Sequence, residues 1–377
     1  MEITEVEPIP LESAVGTVSM QGGKAAFEAT VRPVLVRVHT DAGHVGLGET
    51  YLDDPTGDKA AWNAQAMQAL GNHLVGEDPR DVSRLWHELY VHTKRSGSYR
   101  ALSALDQALW DIKGKAADVP VYELLGGQVN EIEAYATFPH KKSADQLIED
   151  AGWLADKGFP MMKIVGGDGV ADDKERIPKI AKNIPNDISL AVDTNTSYNF
   201  TQALEVAEVA SEYGLDWFEE PLPHTDFEGQ GKLNDRVSVP ISGYQNHVTH
   251  YPVRQHLQAN AIEIYQPALD YCGGITAAHR VATIVEGYGK QFVPHAFGPV
   301  VNYSASLHVA AASAACDLIE FGVYADDIDD PGRYIASPYI ENQEDLSVQD
   351  GGVIEPPAEP GLGVQVDENK LEEYRAD

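Results

Sequence analysis

Asp193, Glu219 and Gln245 follow one another at intervals of 26 residues, at the ends of the β-rich runs SLAVDTN (189–195), WFEEP (217–221) and VPISGYQ (239–245). A solitary acid at a strand end usually caps a helix or pairs on a loop. One oxygen-bearing side chain per unit, three units running, instead points to ligands converging on a single centre. Oxygen donors suit the hard cation Mg²⁺, which takes few protein ligands and leaves its other positions to water and substrate. Lys163 in MMKIV (161–165) and His295 in QFVPHAF (291–297) stand at neighbouring ends. A lysine in an apolar run needs an anionic partner or ligand, and an imidazole can exchange a proton near neutral pH. Glu320 lies inside LIEFG (318–322), and alternation alone leaves open whether it faces the barrel mouth or the outer layer.

These residues need a frame that gathers strand ends. From residue 131 onward eight β-rich runs alternate with amphipathic stretches, beginning with EIEAYAT (131–137) and including AIEIYQP (261–267). That alternation predicts an α/β barrel, whose reactive groups sit at the carboxyl ends of the strands. Stretches such as SADQLIEDAGWLADKG and NFTQALEVAEVASEYG start with a cap residue and end at glycine, as helices do. Before residue 129 the pattern changes to a hairpin, VRPVLVRVHT then VGLGETY, followed by helices. The longest, SGSYRALSALDQALWDIKGKAA, places Leu102, Leu105, Ala108, Leu109 and Ile112 on one face. The expected division is an α+β domain over 1–128, a barrel over 129–340, and a segment over 341–377 that returns to the first domain.

The chain has 377 residues and a net charge of −32, from 27 basic and 59 acidic residues spread along its length. Such a surface repels nucleic acid and anionic lipid. No run is long enough to span a bilayer, and the N-terminus carries no leader pattern, so a cytoplasmic protein is expected. Cys272 and Cys316 have no paired spacing and give neither a disulfide framework nor a zinc site. An apolar content of 43% supports a folded body coated with acids, which we read as adaptation to molar salt. Melting that is no higher in molar KCl than in dilute buffer would contradict that reading.

ALSALDQALWDIKGKAADVPVYELLGG, AVDTN, WFEEPLP, QPALDYCGGIT and DGGVIEPPAEPGLG, in this order, resemble the mandelate racemase/muconate-lactonizing branch of the enolase superfamily over nearly the whole chain. The resemblance implies a (β/α)7β modified TIM barrel under an α+β capping domain, a Mg²⁺ site, and removal of a proton α to a carboxylate by a Lys or His base. It implies metal ligands at Asp193, Glu219 and Gln245, the last an amide where the family has an acid or asparagine. On an ideal strand the neighbouring Asn246 faces the other way. The family's second lysine of Lys-x-Lys falls on Val165, and the aspartate that partners His295 falls on Ala268. Asp270, two residues on, is the candidate to support His295 if the strand continues that far. Glu320 and Lys163 are implied contacts of the substrate carboxylate, with Asn195 and His140 as further substrate contacts. The loop at 17–27 is expected to close over the site, and His247 and His250 are weaker candidates for meeting sugar hydroxyls. Homo-oligomers, from dimers to octamers, are usual in the family.

With one acid/base and no second base at 165, elimination of water from an acid sugar, giving a 2-keto-3-deoxy acid, is the expected reaction. The alternatives are a relative that kept the fold and lost the chemistry, and a racemase or cycloisomerase.

Overall fold

The computed structural model describes residues 1–18, 27–51, 59–127, 131–138, 141–323 and 337–376. His140 and most of the 17–27 loop lie outside them. Eight parallel strands form the barrel sheet: Ile132–Thr137, Met161–Val165, Ser189–Asp193, Trp217–Glu219, Ile241–Gly243, Ile264–Tyr265, Gln291–Phe292 and Leu318–Gly322. The first seven pair in sequence order and the eighth pairs with the first. The seam between the seventh and eighth is bridged by the Phe292 amide, which donates to the Ala315 carbonyl at 2.9 Å. Helices Ala144–Asp156 and Phe200–Glu212 open with reciprocal side-chain caps, Ser143 with Gln146 and Asn199 with Gln202, which satisfy otherwise orphaned amides.

Tyr135, Met161, Ala191, Trp217, Ile264 and Val293 form an apolar layer in the barrel interior, with Leu318 packed against it. Side chains two residues apart share a strand face. Counting two residues toward the mouth from Met161, Ala191, Trp217, Val293 and Leu318 reaches Lys163, Asp193, Glu219, His295 and Glu320. The question left open by alternation at Glu320 is thereby answered: it faces inward.

Six of the eight strands are shorter than the runs that suggest them. The fifth ends at Gly243, so the strand geometry that would set Gln245 and Asn246 on opposite faces does not reach them.

The other domain has a three-stranded antiparallel sheet, in which Val34–Thr40 pairs with both Ile3–Pro10 and Val45–Thr50. Helix Tyr99–Ala117 lies across it at very close range, with Leu102, Leu105, Ala108, Leu109 and Ile112 all fully buried. Two glycines permit the approach: a Cβ on Gly48 would fall 1.8 Å from the Ala104 carbonyl oxygen, and one on Gly46 would fall 2.2 Å from that of Ala108. Gly48→Ala is therefore expected to lower stability by about 3 kcal/mol. An unchanged urea midpoint would show that the helix can yield.

The same helix binds every neighbouring part. Asp106 accepts from the amide and hydroxyl of Thr276 in barrel helix Gly274–Glu286, at 2.8 and 2.6 Å. Asp111 accepts from the amides of Leu47 and Leu362, both at 2.8 Å. Gln107 accepts from the Glu49 amide at 2.9 Å and donates to Asn302 at 3.1 Å. After residue 340 the chain adds Val353–Ile354 antiparallel to the first barrel strand, and its end reaches the small sheet, where Ala376 N donates to Pro10 O at 3.0 Å. No helix among the described residues is long and apolar enough to cross a membrane.

Candidate active site

Lys163, Glu219 and Glu320 form one buried ion cluster at the barrel mouth. Lys163 Nζ lies 2.9 Å from Glu219 Oε1 and 2.9 Å from Glu320 Oε1, and the residue is 2% exposed. Burial works against the ammonium charge, but the two carboxylates prevail and raise its pKa well above the ordinary value. Lys163 is thus held as an ammonium between two carboxylates. Glu219 Oε2 also accepts from Trp217 Nε1 at 2.9 Å and Gln266 Nε2 at 2.8 Å. Glu320 accepts from Thr137 Oγ1 at 2.9 Å and, across the seam, from the Ala296 amide at 3.0 Å. Burial would raise the Glu320 carboxyl; Lys163 and His295 outweigh it and hold the pKa below the usual carboxylate value.

Asp193 stands beside Glu219 in the parallel register of strands three and four. Its Oδ1 accepts from the backbone amide of Asn195 at 2.8 Å, so Asn195, exposed at the rim, serves it through main chain. Burial and the neighbouring Glu219 push the Asp193 carboxyl up to about 7, against the pull of Lys163. Beside this pair stands Glu220, an acid that sequence reasoning passed over. It is 3% exposed, and its Oε2 accepts from Gln245 Nε2 at 3.1 Å and Asn246 Nδ2 at 2.8 Å. Burial, then Asp193 and Glu219, push Glu220 up to about 8. Its signal was the doubled acid in WFEEP; alternation would have turned it outward, but the strand stops at Glu219 and Glu220 turns left-handed at φ 39°.

The same device recurs along the mouth: Asn195 and Thr196 have φ of 42° and 56°, and Tyr244 has φ 99°. Left-handed non-glycine residues at three successive strand ends are costly, and such strain concentrates at functional sites. Among the described residues no three His, Cys, Asp or Glu side chains are grouped closely enough to hold a metal. A metal held by Asp193 and Glu219 would need its third protein oxygen from another residue type; Gln245 Oε1 is buried without a hydrogen-bond partner.

His295 sits opposite Ala268 in a parallel bridge, with Nε2 3.9 Å from Glu320 Oε2 and Nδ1 buried without a partner. Asp270 does not supply that partner. Its carboxylate is paired with Arg100, whose guanidinium also lies over Tyr271 at 4.9 Å. The reason is a turn: the amides of Tyr271 and Cys272 both donate to the Ala268 carbonyl, so the extended geometry that would align 268 with 270 ends there. His247 is likewise a structural residue, its Nε2 within 2.9 Å of both the His224 carbonyl and His256 Nε2. His250 packs against Trp86, ring centroids 5.6 Å apart.

An α+β domain capping a parallel barrel, with lysine, acids and histidine on the inner face at successive strand ends, defines a class of barrel proteins that gather polar groups over one mouth. The chain belongs to the enolase superfamily: residues 2–126 match the mandelate racemase/muconate lactonizing enzyme N-terminal domain, and 146–370 match the enolase C-terminal domain-like family. It is 32% identical to the D-galactarolactone cycloisomerase of Agrobacterium fabrum, covering 100% of this chain and 99% of that protein. It is 28% identical to the arabinonate dehydratase of Saccharolobus solfataricus over 93% of each. The crystal structure of the 3,6-anhydro-D-galactonate cycloisomerase from Zobellia galactanivorans superposes with a TM-score of 0.82 at 29% identity, covering 100% of both chains. All three relatives act on acid sugars or their lactones, by dehydration or cycloisomerisation.

Proposed function

We propose that this chain is an acid-sugar dehydratase that removes a proton α to a carboxylate and expels the β-hydroxyl on the same face. The observation that carries the reading is what stands at the mouth among the described residues: His295 supplies an imidazole, and position 165 is a valine that cannot accept a proton. Racemisation needs a base on each face; syn elimination needs one group that accepts a proton and then returns it. Lys163, an ammonium between Glu219 and Glu320, is offered as a contact of the substrate carboxylate. His295 takes the α-proton, the β-carbon–oxygen bond breaks, and the imidazolium delivers that proton to the departing hydroxyl as water. The enol product then becomes the 2-keto-3-deoxy acid.

The residues fit Mg²⁺. Asp193, Glu219 and the unpartnered Oε1 of Gln245 are offered as an all-oxygen donor set, and burial with mutual repulsion pushes Asp193 up to about 7 and Glu220 up to about 8, a crowding that a dication would relieve. When bound, Mg²⁺ supplies positive charge against the negative charge that develops on the substrate carboxylate as the α-proton leaves. The amide makes the site one charge poorer than three acids. Asn195 is offered as a substrate contact at the rim, and His140 as another. We further read the protein as cytoplasmic, oligomeric and suited to high salt.

A second reading is favoured by the two cycloisomerase relatives: the same proton removal with a ring oxygen as the leaving group. Mass spectrometry of an acid-sugar and lactone screen separates the two. Dehydration removes one water from the product, whereas cycloisomerisation leaves the mass unchanged. Mn²⁺ binding followed by electron paramagnetic resonance should vanish in Asp193→Ala; binding indifferent to Asp193, with no turnover in the screen, would leave the fold without its chemistry.

A further inference from the structure

We infer that Glu220 is a positioning residue that fixes which end of the Gln245 amide is offered to the cation. The inference rests on the reading of Gln245 as a ligand and deepens it. A carboxylate at position 245 would present an oxygen whichever way it turned. An amide has two ends of nearly equal size, one an acceptor and the other a two-hydrogen donor, and half a turn about its terminal bond would replace a ligand with a group that repels a cation.

The structure removes that ambiguity. Glu220 Oε2 acts here as an acceptor for Gln245 Nε2 at 3.1 Å, leaving Gln245 Oε1 buried without a partner. Asn246 Nδ2 reaches the same oxygen at 2.8 Å, so the carboxylate is held from two sides. Glu220 cannot readily follow the amide if the amide turns. Its own amide donates to Ser242 O at 3.0 Å on the fifth strand, and its carbonyl accepts from Thr196 N at 2.7 Å in the loop after the third. Its left-handed φ of 39° is locked between those bonds. The amide at 245 is therefore oriented by the acid at 220.

The test is Mn²⁺ affinity, read by electron paramagnetic resonance titration in molar KCl, in the native and Gln245→Glu backgrounds. Glu220→Gln is expected to weaken binding about tenfold beside Gln245, and to leave it unchanged or tighter beside Glu at 245, where no amide needs orienting. Glu220→Asp keeps the charge but withdraws the acceptor by one methylene, and is expected to weaken binding in the native background as well; this conservative variant decides the matter if Glu220→Gln does not fold. Equal losses in both backgrounds, or native affinity in Glu220→Asp, would show that Glu220 contributes charge alone and overturn the inference. Native binding that depends on Asp193 but is indifferent to both Glu220 variants overturns the positioning role and leaves the metal site standing. Native binding that does not depend on Asp193 removes the metal site and this inference together.

Discussion

His295→Asn is expected to reduce turnover by about three orders of magnitude while leaving Mn²⁺ affinity within about twofold. The size of the effect follows from the lack of a substitute. Lys163 is held charged by two carboxylates 2.9 Å away and has no lone pair to offer. Glu219 and Glu320 are both committed to that lysine and to further donors, and Val165 is apolar. The imidazole also keeps 21% of its side-chain surface exposed, so a substrate can reach it. Asparagine retains the approximate size and polarity but cannot carry the proton from carbon to leaving oxygen. The measurement is kcat on whichever acid sugar the screen yields, with Mn²⁺ titration alongside. A loss below tenfold would put the base elsewhere.

The second large effect concerns stability. Lys163→Met is expected to destabilise the fold by about 3–5 kcal/mol near neutral pH, because it leaves Glu219 and Glu320 buried without their counter-charge. The pH dependence carries a sign. In the native protein the Glu320 pKa lies below its ordinary 4.5, so the stability drawn from the lysine is fully present above about pH 4.5 and is lost as pH falls through the depressed value. The gap between native and variant melting temperatures should thus be widest at neutral pH and narrow in acid. Added Mg²⁺ should restore part of the loss at neutral pH if Glu219 is a ligand. A gap independent of pH would mean that the cost is packing rather than charge.

Much of this site was legible because a barrel repeats itself. Equal spacing between runs singled out Asp193, Glu219 and Gln245, and position at a run's end singled out Lys163 and His295; in the fold Lys163, Asp193, Glu219 and His295 each follow by two positions a residue of the apolar interior layer. The errors share one cause. Alternation was carried past the last ladder bond, and there it no longer holds: Gln245 and Asn246 meet on one oxygen, Glu220 turns inward, and Asp270 is carried round a turn to Arg100. A strand end is a change of dihedral rule, and nothing in the local composition of GYQN or ALDY marks where it falls. The bonds of Asp106 and Asp111 to distant segments were equally hidden, since they join residues 170 and 251 positions apart.

Those two aspartates bear on how the architecture can be recombined. Helix Tyr99–Ala117 holds amides from the hairpin, from a barrel helix and from the closing segment, all on side chains it supplies itself. A barrel transplanted beneath a relative's cap would inherit orphaned amides at Thr276 and Leu362 unless the incoming helix brought carboxylates in the same register. Chimeras should therefore succeed only when the crossover preserves both sides of Tyr99–Ala117: carboxylates facing Thr276 and Leu362, and a hairpin that keeps glycine at 46 and 48 and offers its amides to Asp111 and Gln107. In units of inheritance, this helix belongs to both halves of the chain.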